Sequence, residues 1–180
     1  MASSRPLRLG CSSLRACVTL AAQLALGTGC TASRAYFSGS DDLSSAVITE
    51  VDAAASTVDL AIYTFTDTNI QNALIDAAGR GVAVRVVADE TQSTTISEQA
   101  GVLTNLREGG VEARVGQGFN GGILHHKFLV VDSATVLTGS FNYTRSANEA
   151  NDENLVVLSD ANLAGAYEDA FEDVWARAQE

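Results

Sequence analysis

Between residues 58 and 115 the chain alternates apolar, β-branched runs with segments of helical periodicity, and this alternation restricts the fold more than any other feature. Residues 58–65 read as a buried strand. Residues 67–78 read as a helix with Ile70, Leu74 and Ala77 on one face, stopped by Gly79 and Gly81. Residues 82–88 form the next strand, 96–108 the next helix, closed by Gly109 and Gly110, and 111–115 a short third strand. Upstream, Ser40 or Asp41 is placed to cap a helix carrying Leu43, Val47, Val51 and Ala54 on one side. Downstream, strands at 125–132, 135–138 and 155–158 follow closely, then a helix with the stripe Leu163, Ala166, Tyr167, Ala170, Phe171, Val174 and Trp175. That stripe reads as core rather than as a lipid-binding surface. The pattern predicts an α/β chain in which a mixed β-sheet is flanked by helices on both faces, and it leaves the strand order open.

The strand at 125–132 carries chemistry. Side chains alternate along a strand, so His125, Lys127, Leu129 and Val131 point one way while His126, Phe128 and Val130 point the other. An imidazole and an ammonium then share one site. A neutral imidazole can attack phosphorus while a fixed lysine stabilises charge on the non-bridging oxygens, which suits a phosphodiester and requires no metal or other cofactor. Ser140 and Asn142, two residues apart, add neutral hydrogen-bonding groups for the same oxygens or for the ring. A metal site built from His125, His126 and Asp132 is disfavoured, because adjacent strand residues diverge and the chain has only two histidines. His126 reads as a packed histidine. Asp132, at a strand end before Ser133, reads equally as a turn-former or as a catalytic group.

His125, Lys127, four residues, Asp132, six residues, then Gly139, Ser140 and Asn142 resembles the motif of the phospholipase D superfamily, with both spacings intact. The order of elements from about Tyr36 to the C-terminus is similar to that of the small bacterial single-motif members, which include nucleases and phospholipases. The resemblance implies an α/β/α sandwich. It implies that Glu153, ahead of the apolar run at 155–158, holds and polarises the nucleophilic His125, and that Asp132 mainly supports the site. It also implies two-step transfer through a phosphohistidine. The site set is therefore His125, Lys127, Asp132 and Glu153 for catalysis, with Lys127, Ser140 and Asn142 for phosphate binding. Such chemistry needs a nucleophile and a separate acid–base group. Two-motif family members place their histidines face to face, and this chain has one motif, so a two-fold homodimer with one composite site is expected.

Length and composition bound the remainder. A chain of 180 residues with 46% hydrophobic residues suits one folded domain rather than a disordered segment. Cys11, Cys17 and Cys30 all fall in the first thirty residues, so the folded part has neither a disulfide nor thiol chemistry. Arg5, Arg8 and Arg15 precede or open an apolar stretch at 16–26 that is too short to span a membrane, and small residues follow it. Residues 1–35 therefore read as an export leader and 36–180 as the phosphodiesterase domain. Cleavage after Ala35 and a lipoprotein site with Cys30 acylated are the two processing alternatives, and both place the protein outside the cytoplasm.

Seven basic residues stand against 22 acidic ones from Tyr36 onward, a net charge of −15. Such a surface repels polyanions, which favours a phospholipid headgroup diester over nucleic acid as substrate. A small diester needs only a local positive pocket, for which Lys127 and Arg145 are the candidates. The runner-up is a non-specific, metal-independent endonuclease. A non-catalytic exported phosphate-binding module is the reading from another class, although it would not need His125 together with Glu153. The loop of residues 116–122 is rich in glycine and precedes the motif strand. It reads as a wall or lid of the site with Phe119 as a substrate contact, or equally as a passive connector.

Overall fold

Aspartate side chains set where most of the helices begin. In the computed structural model, which describes residues 33–180, α1 (Leu43–Ala53) is capped by Asp42, α2 (Thr68–Gly79) by Asp67 and α3 (Glu90–Thr95) by Asp89. α4 (Ser97–Glu108) has no side-chain cap, α5 (Arg145–Glu149) is capped by Thr144 and α6 (Ala161–Trp175) by Asp160. Each capping oxygen accepts a first-turn backbone N–H that has no partner within the helix. Asp41 does not cap α1 as expected. Its carboxylate accepts from Phe37 N and so closes the preceding turn.

Seven strands form one sheet: β1 (Arg34–Phe37), β2 (Thr57–Ile62), β3 (Ala83–Asp89), β4 (Glu112–Gly116), β5 (Lys127–Val131), β6 (Thr135–Gly139) and β7 (Asn154–Ser159). Their spatial order is β1-β7-β6-β5-β2-β3-β4. β2, β3 and β4 run parallel, joined by helical crossovers, and the other pairings are antiparallel. The expected mixed sheet is therefore present. β1 is an addition to the elements expected, and it takes in residues 34 and 35 from the segment that reads as leader. Arg34 pairs across the sheet with Val157 and its guanidinium bonds Glu50 of α1. The leader features at Arg5, Arg8, Arg15 and Cys30 lie outside the described residues.

The strands bury both faces, which explains their near-continuous apolar runs. On one face Leu60, Ile62, Val84, Val86, Leu129 and Val131 join a core with α1, α2 and α4. On the other, Ala61, Val87, Phe128 and Val130 pack with Ala164, Phe171 and Val174 of α6. The period-2 alternation expected for the motif strand is thus realised from Lys127 onward, with its two faces in two separate cores. Asp59 and Arg85 share the α6 side as a bidentate pair, with Glu172 as a second partner for Arg85.

Register fixes where chemistry can occur. β5 runs antiparallel to β2 with Lys127 opposite Ile62, and Phe128 lies opposite Thr138 near the end of β6. The start of β5 therefore meets the carboxyl ends of β2 and β3, the edge of an open α/β sheet where ligands usually bind.

Candidate active site

β5 begins at Lys127, so His125 and His126 lie in the irregular segment just ahead of the ladder rather than within a strand. That segment is anchored one residue before the nucleophile candidate. Leu124 is buried and its N–H donates to Asp89 Oδ2 at 2.8 Å, while Asp89 Oδ1 caps α3 through Gln92 N. Asp89 is itself buried, at 1% exposure, which makes these bonds obligatory. Gln99, fully buried, bonds Phe65 N and also reaches the Tyr63 and Asp89 carbonyls, so one side chain ties together the loops after β2 and β3.

His125 is exposed and its ring rests on Tyr63, the residue after β2, with centroids 4.6 Å apart. Lys127 Nζ stands 3.4 Å from His125 Nε2 and donates to the His125 carbonyl at 3.1 Å. An ammonium only donates, so this contact directs the Nε2 lone pair toward the lysine and leaves the proton of a neutral ring on Nδ1. The same ammonium lies 5.1 Å from the Tyr63 ring centroid, within cation–π range. Burial pushes the Lys127 ammonium below its usual value and the nearby Glu153 charge opposes that shift. Two of the expected groups, His125 and Lys127, are thus brought together at the mouth of a cleft.

Ser140 and Glu153 are also brought together. Ser140 Oγ donates to Glu153 Oε2 and accepts from Asn154 N at 3.1 Å and Asn154 Nδ2 at 3.3 Å. Its only proton is directed at the carboxylate, so in this structure Ser140 serves Glu153 rather than an incoming oxygen. Glu153 is bonded further to Asn151 Nδ2 and, through its own N–H, to Ser38 Oγ beyond β1. It makes no hydrogen bond to the imidazole, which leans on Tyr63 and Lys127 instead. Gly139 makes this corner possible: a Cβ there would stand 2.2 Å from the Asn154 carbonyl oxygen. Asn142 Oδ1 accepts from Thr64 N at 3.3 Å, which leaves its Nδ2 without a protein partner among the described residues and available as a donor.

Asp132 lies elsewhere. It follows the far end of β5, roughly 17 Å from Lys127 at the usual rise per residue. Its carboxylate accepts from Ala55 N, Ser56 N, Ser56 Oγ and Thr57 N at 2.7–2.9 Å. Burial acts to raise its pKa, but the hydrogen bonds from Thr57, Ala55 and Ser56 prevail and hold it at about 2. Of the two readings open in the sequence, the geometry selects the turn-former: Asp132 and Ser133 both have positive φ, and the side chain staples β5 to the α1–β2 loop.

His126 is exposed rather than packed away: its ring stands 5.2 Å from that of Phe128 and lines the cleft beside Tyr167 and Ala170 of α6. Desolvation lowers its pKa, and the charges of Arg177, Lys127 and His125 lower it further. Arg177, not Arg145, lines the cleft that also holds His125 and His126. Arg145 pairs with Glu149 and lines a separate groove beside Asp42 and Asp67. A cleft of about 380 Å³ runs from His125, His126 and Lys127 past Thr138 to Tyr167 and Ala170 of α6. Among the described residues no cluster of three His, Cys, Asp or Glu side chains is arranged to hold a metal.

Tyr63, Asp89 and Gln99 are not among the residues that sequence reasoning singles out. Asp89 carries a usable signal, since Asp89 followed by Gln92 has the spacing of a capping box and marks the start of α3. Tyr63 and Gln99 carry none, because their partners come from distant parts of the chain.

Residues 47–175 match the family model described as "Cardiolipin synthase, PLD-like domain". A mitochondrial cardiolipin hydrolase from Chlamydomonas reinhardtii is 31% identical over 147 residues, covering 82% of this chain and 64% of that protein. A phospholipase D from Rickettsia bellii is 36% identical over 118 residues, covering 66% of this chain and 56% of its own length. The chain thus spans about three-fifths of the length of these curated relatives. The crystal structure of Nuc, a phospholipase D family member from Salmonella typhimurium, superposes with a TM-score of 0.77 at 30% identity, covering 82% of this chain and 96% of that one. With one sheet order, a paired His125 and Lys127 at its edge, and these similarities spanning most of the described residues, the chain belongs to the phospholipase D superfamily.

Proposed function

We propose that the chain is a phospholipase D-type phosphodiester hydrolase that works through a covalent phosphohistidine and acts on phospholipids, releasing a headgroup alcohol and a phosphatidic acid. The observation that carries the proposal is the 3.4 Å approach of Lys127 Nζ to His125 Nε2 at the mouth of an open cleft. His125 Nε2 attacks phosphorus, the P–O bond to the alcohol breaks, and the alcohol oxygen takes a proton from an acid. Water then displaces His125 from phosphorus, giving up a proton to the same group, now a base. Lys127 and the free Asn142 Nδ2 hold the non-bridging oxygens. Glu153, which makes no hydrogen bond to the ring, helps to keep Lys127 charged. The acid–base group is His125 of the partner subunit, since each chain has one such motif. The active unit is then a two-fold homodimer, and its two histidines titrate as a coupled pair.

The phospholipid reading is supported by the net charge of −15 from Tyr36 onward and by the two curated relatives, which are named for phospholipid hydrolysis. The arginine-then-apolar leader supports export to the periplasm or the outer surface of a membrane, with Cys30 as the candidate lipid anchor.

A substrate screen in one chelator-containing buffer tests this reading. Phosphatidylcholine, cardiolipin, supercoiled DNA, single-stranded DNA and a chromogenic aryl diester are compared at low and near-physiological salt. Phospholipid turnover should exceed DNA cleavage at both salt concentrations. Preferred DNA cleavage at both would replace phospholipase by endonuclease. Phosphate binding without turnover of any diester would leave a binding module. Activity lost to chelator and restored by a divalent cation would overturn the phosphohistidine scheme.

A further inference from the structure

Among the described residues three large apolar side chains are exposed: Phe37 on the edge strand β1, and Phe119 and Ile123 on the loop between β4 and β5. Phe119 is 84% exposed and Ile123 52%, so two apolar side chains of one short loop gain nothing from burial in the fold. The loop is braced. Gly118 N donates to the Gly122 carbonyl at 2.6 Å and Gly122 N to the Phe119 carbonyl at 3.2 Å, closing a short 3-10 turn, Phe119–Gly121. Asn120 and Gly121 both adopt positive φ in that turn, and a Cβ on Gly118 would fall 2.1 Å from the Ile123 carbonyl oxygen. Gln117 Nε2 bonds Glu90 at the base. Phe119 is therefore held outward at the tip by the backbone of a closed turn.

A cleft of about 290 Å³ leads from this tip to the site, lined by Phe119, Ile123, Leu124, His125, His126 and Arg177. Arg177 lines it, and no carboxylate does. Of the basic side chains after Tyr36, Arg85 and Arg145 are ion-paired with carboxylates, Arg80 and Arg107 bond carbonyl oxygens, and Arg114 lies 3.9 Å over the Trp175 ring. Lys127 and Arg177 form no ion pair among the described residues, and each donates to carbonyl oxygens, Lys127 to His125 and Arg177 to Asp173 and Gln117. An apolar tip with an arginine beside it is complementary to a bilayer surface, where acyl chains take up the aromatic and aliphatic groups and a phosphate meets the guanidinium.

We propose that Phe119 and Ile123 insert into a phospholipid surface and, with Arg177 at headgroup level, present the scissile diester to His125. This rests on the phospholipid reading above and extends it from the chemistry to the way a substrate embedded in a bilayer is reached.

Flotation of the full chain with mixed phosphatidylcholine–phosphatidylglycerol vesicles tests it. In the double variant Phe119→Ser/Ile123→Ser, the vesicle-bound fraction should fall about tenfold or more. The ratio of vesicle turnover to turnover of a soluble aryl phosphodiester should fall by a similar factor. A second variant guards against misfolding: Phe119→Trp, in a chain also carrying His125→Asn, should show a blue shift on adding vesicles that the His125→Asn chain lacks. Equal flotation of parent and double variant, or no shift in the emission of the introduced tryptophan, overturns the docking surface. Conversion of a dimer to a monomer by the double substitution overturns it too, since a second copy would then cover the patch. If the parent floats, the double variant does not, and no phospholipid is cleaved, the docking surface stands and the substrate reading alone fails.

Discussion

Asp132→Asn separates the two roles an aspartate at this position could have. Four hydrogen bonds converge on its carboxylate and hold its pKa at about 2, against an ordinary 3.8. A shift of that size corresponds to about 2 kcal/mol, and screening of this partly solvent-exposed group reduces it to about 1 kcal/mol. Asparagine tolerates the positive φ and can keep Oδ1 toward Ser56 and Thr57, but its Nδ2 then faces the Ala55 N–H, donor against donor. The expected loss is therefore about 1 kcal/mol, or roughly 2–4 °C in Tm for a domain of this size. The pH dependence has a definite sign. The folded-state carboxyl titrates below its unfolded value, so its contribution is full above about pH 4 and is lost as pH falls toward 2. Urea unfolding followed by the single tryptophan, Trp175, measures the difference at pH 7 and again near pH 2, where parent and variant should converge. Turnover of an aryl diester by the folded variant should stay within about twofold of the parent, because the carboxylate is at the opposite end of β5 from His125. A tenfold loss of turnover at unchanged stability would place Asp132 in the chemistry and refute this reasoning.

His125→Ala should abolish turnover in an aryl-diester assay, whereas His126→Ala should act mainly through packing against Phe128; an essential His126 with a dispensable His125 would reverse the assignment. Glu153→Gln should lower turnover by roughly 10–100-fold, as for other supporting carboxylates. Because the Glu153 charge raises the Lys127 pKa, its removal should also move the alkaline limb of the pH–rate profile to lower pH, and an unmoved limb would detach Glu153 from Lys127. A mixed dimer of wild-type and His125→Asn chains, purified through two different tags, should have native size and almost no steady-state turnover. Half the wild-type rate, or a fully active monomer in sedimentation, would remove the composite site.

How much of this is legible in the sequence follows from how local each determinant is. The two faces of β5 can be read because period-2 alternation is a property of the strand itself, and Leu129 and Phe128 do fall in different cores. The start of β5 lies two residues later than the pattern suggests, since His125 and His126 continue the extended pattern while the ladder opens only where Lys127 meets Ile62. β1 is four residues long and owes its existence to β7, so nothing within its own sequence announces it. α3 has no buried residue and α5 one, which removes the apolar stripe by which a helix is recognised. The sequence reading offers Arg145 as the second cation, but α5 carries Arg145 to Glu149 while the chain after α6 returns Arg177 to the loop at Gln117.

In the proposed scheme one chain supplies only part of the chemistry, and the sheet edge is where that part is assembled. His125 and Lys127 enter at the start of β5, Asn142 follows the end of β6, and Glu153 precedes β7, so the contributions come from three neighbouring strands of the sheet. Asn142 is fixed through Thr64, and Glu153 is fixed through Ser140, Asn151 and Ser38. None of these bonds supplies a proton donor opposite His125, where the leaving oxygen of an in-line displacement must depart. Tyr63 is behind the ring it supports. In the proposed scheme the acid approaches from outside the protomer, across the exposed face of His125, and a two-fold homodimer would supply it as a second imidazole of the same kind.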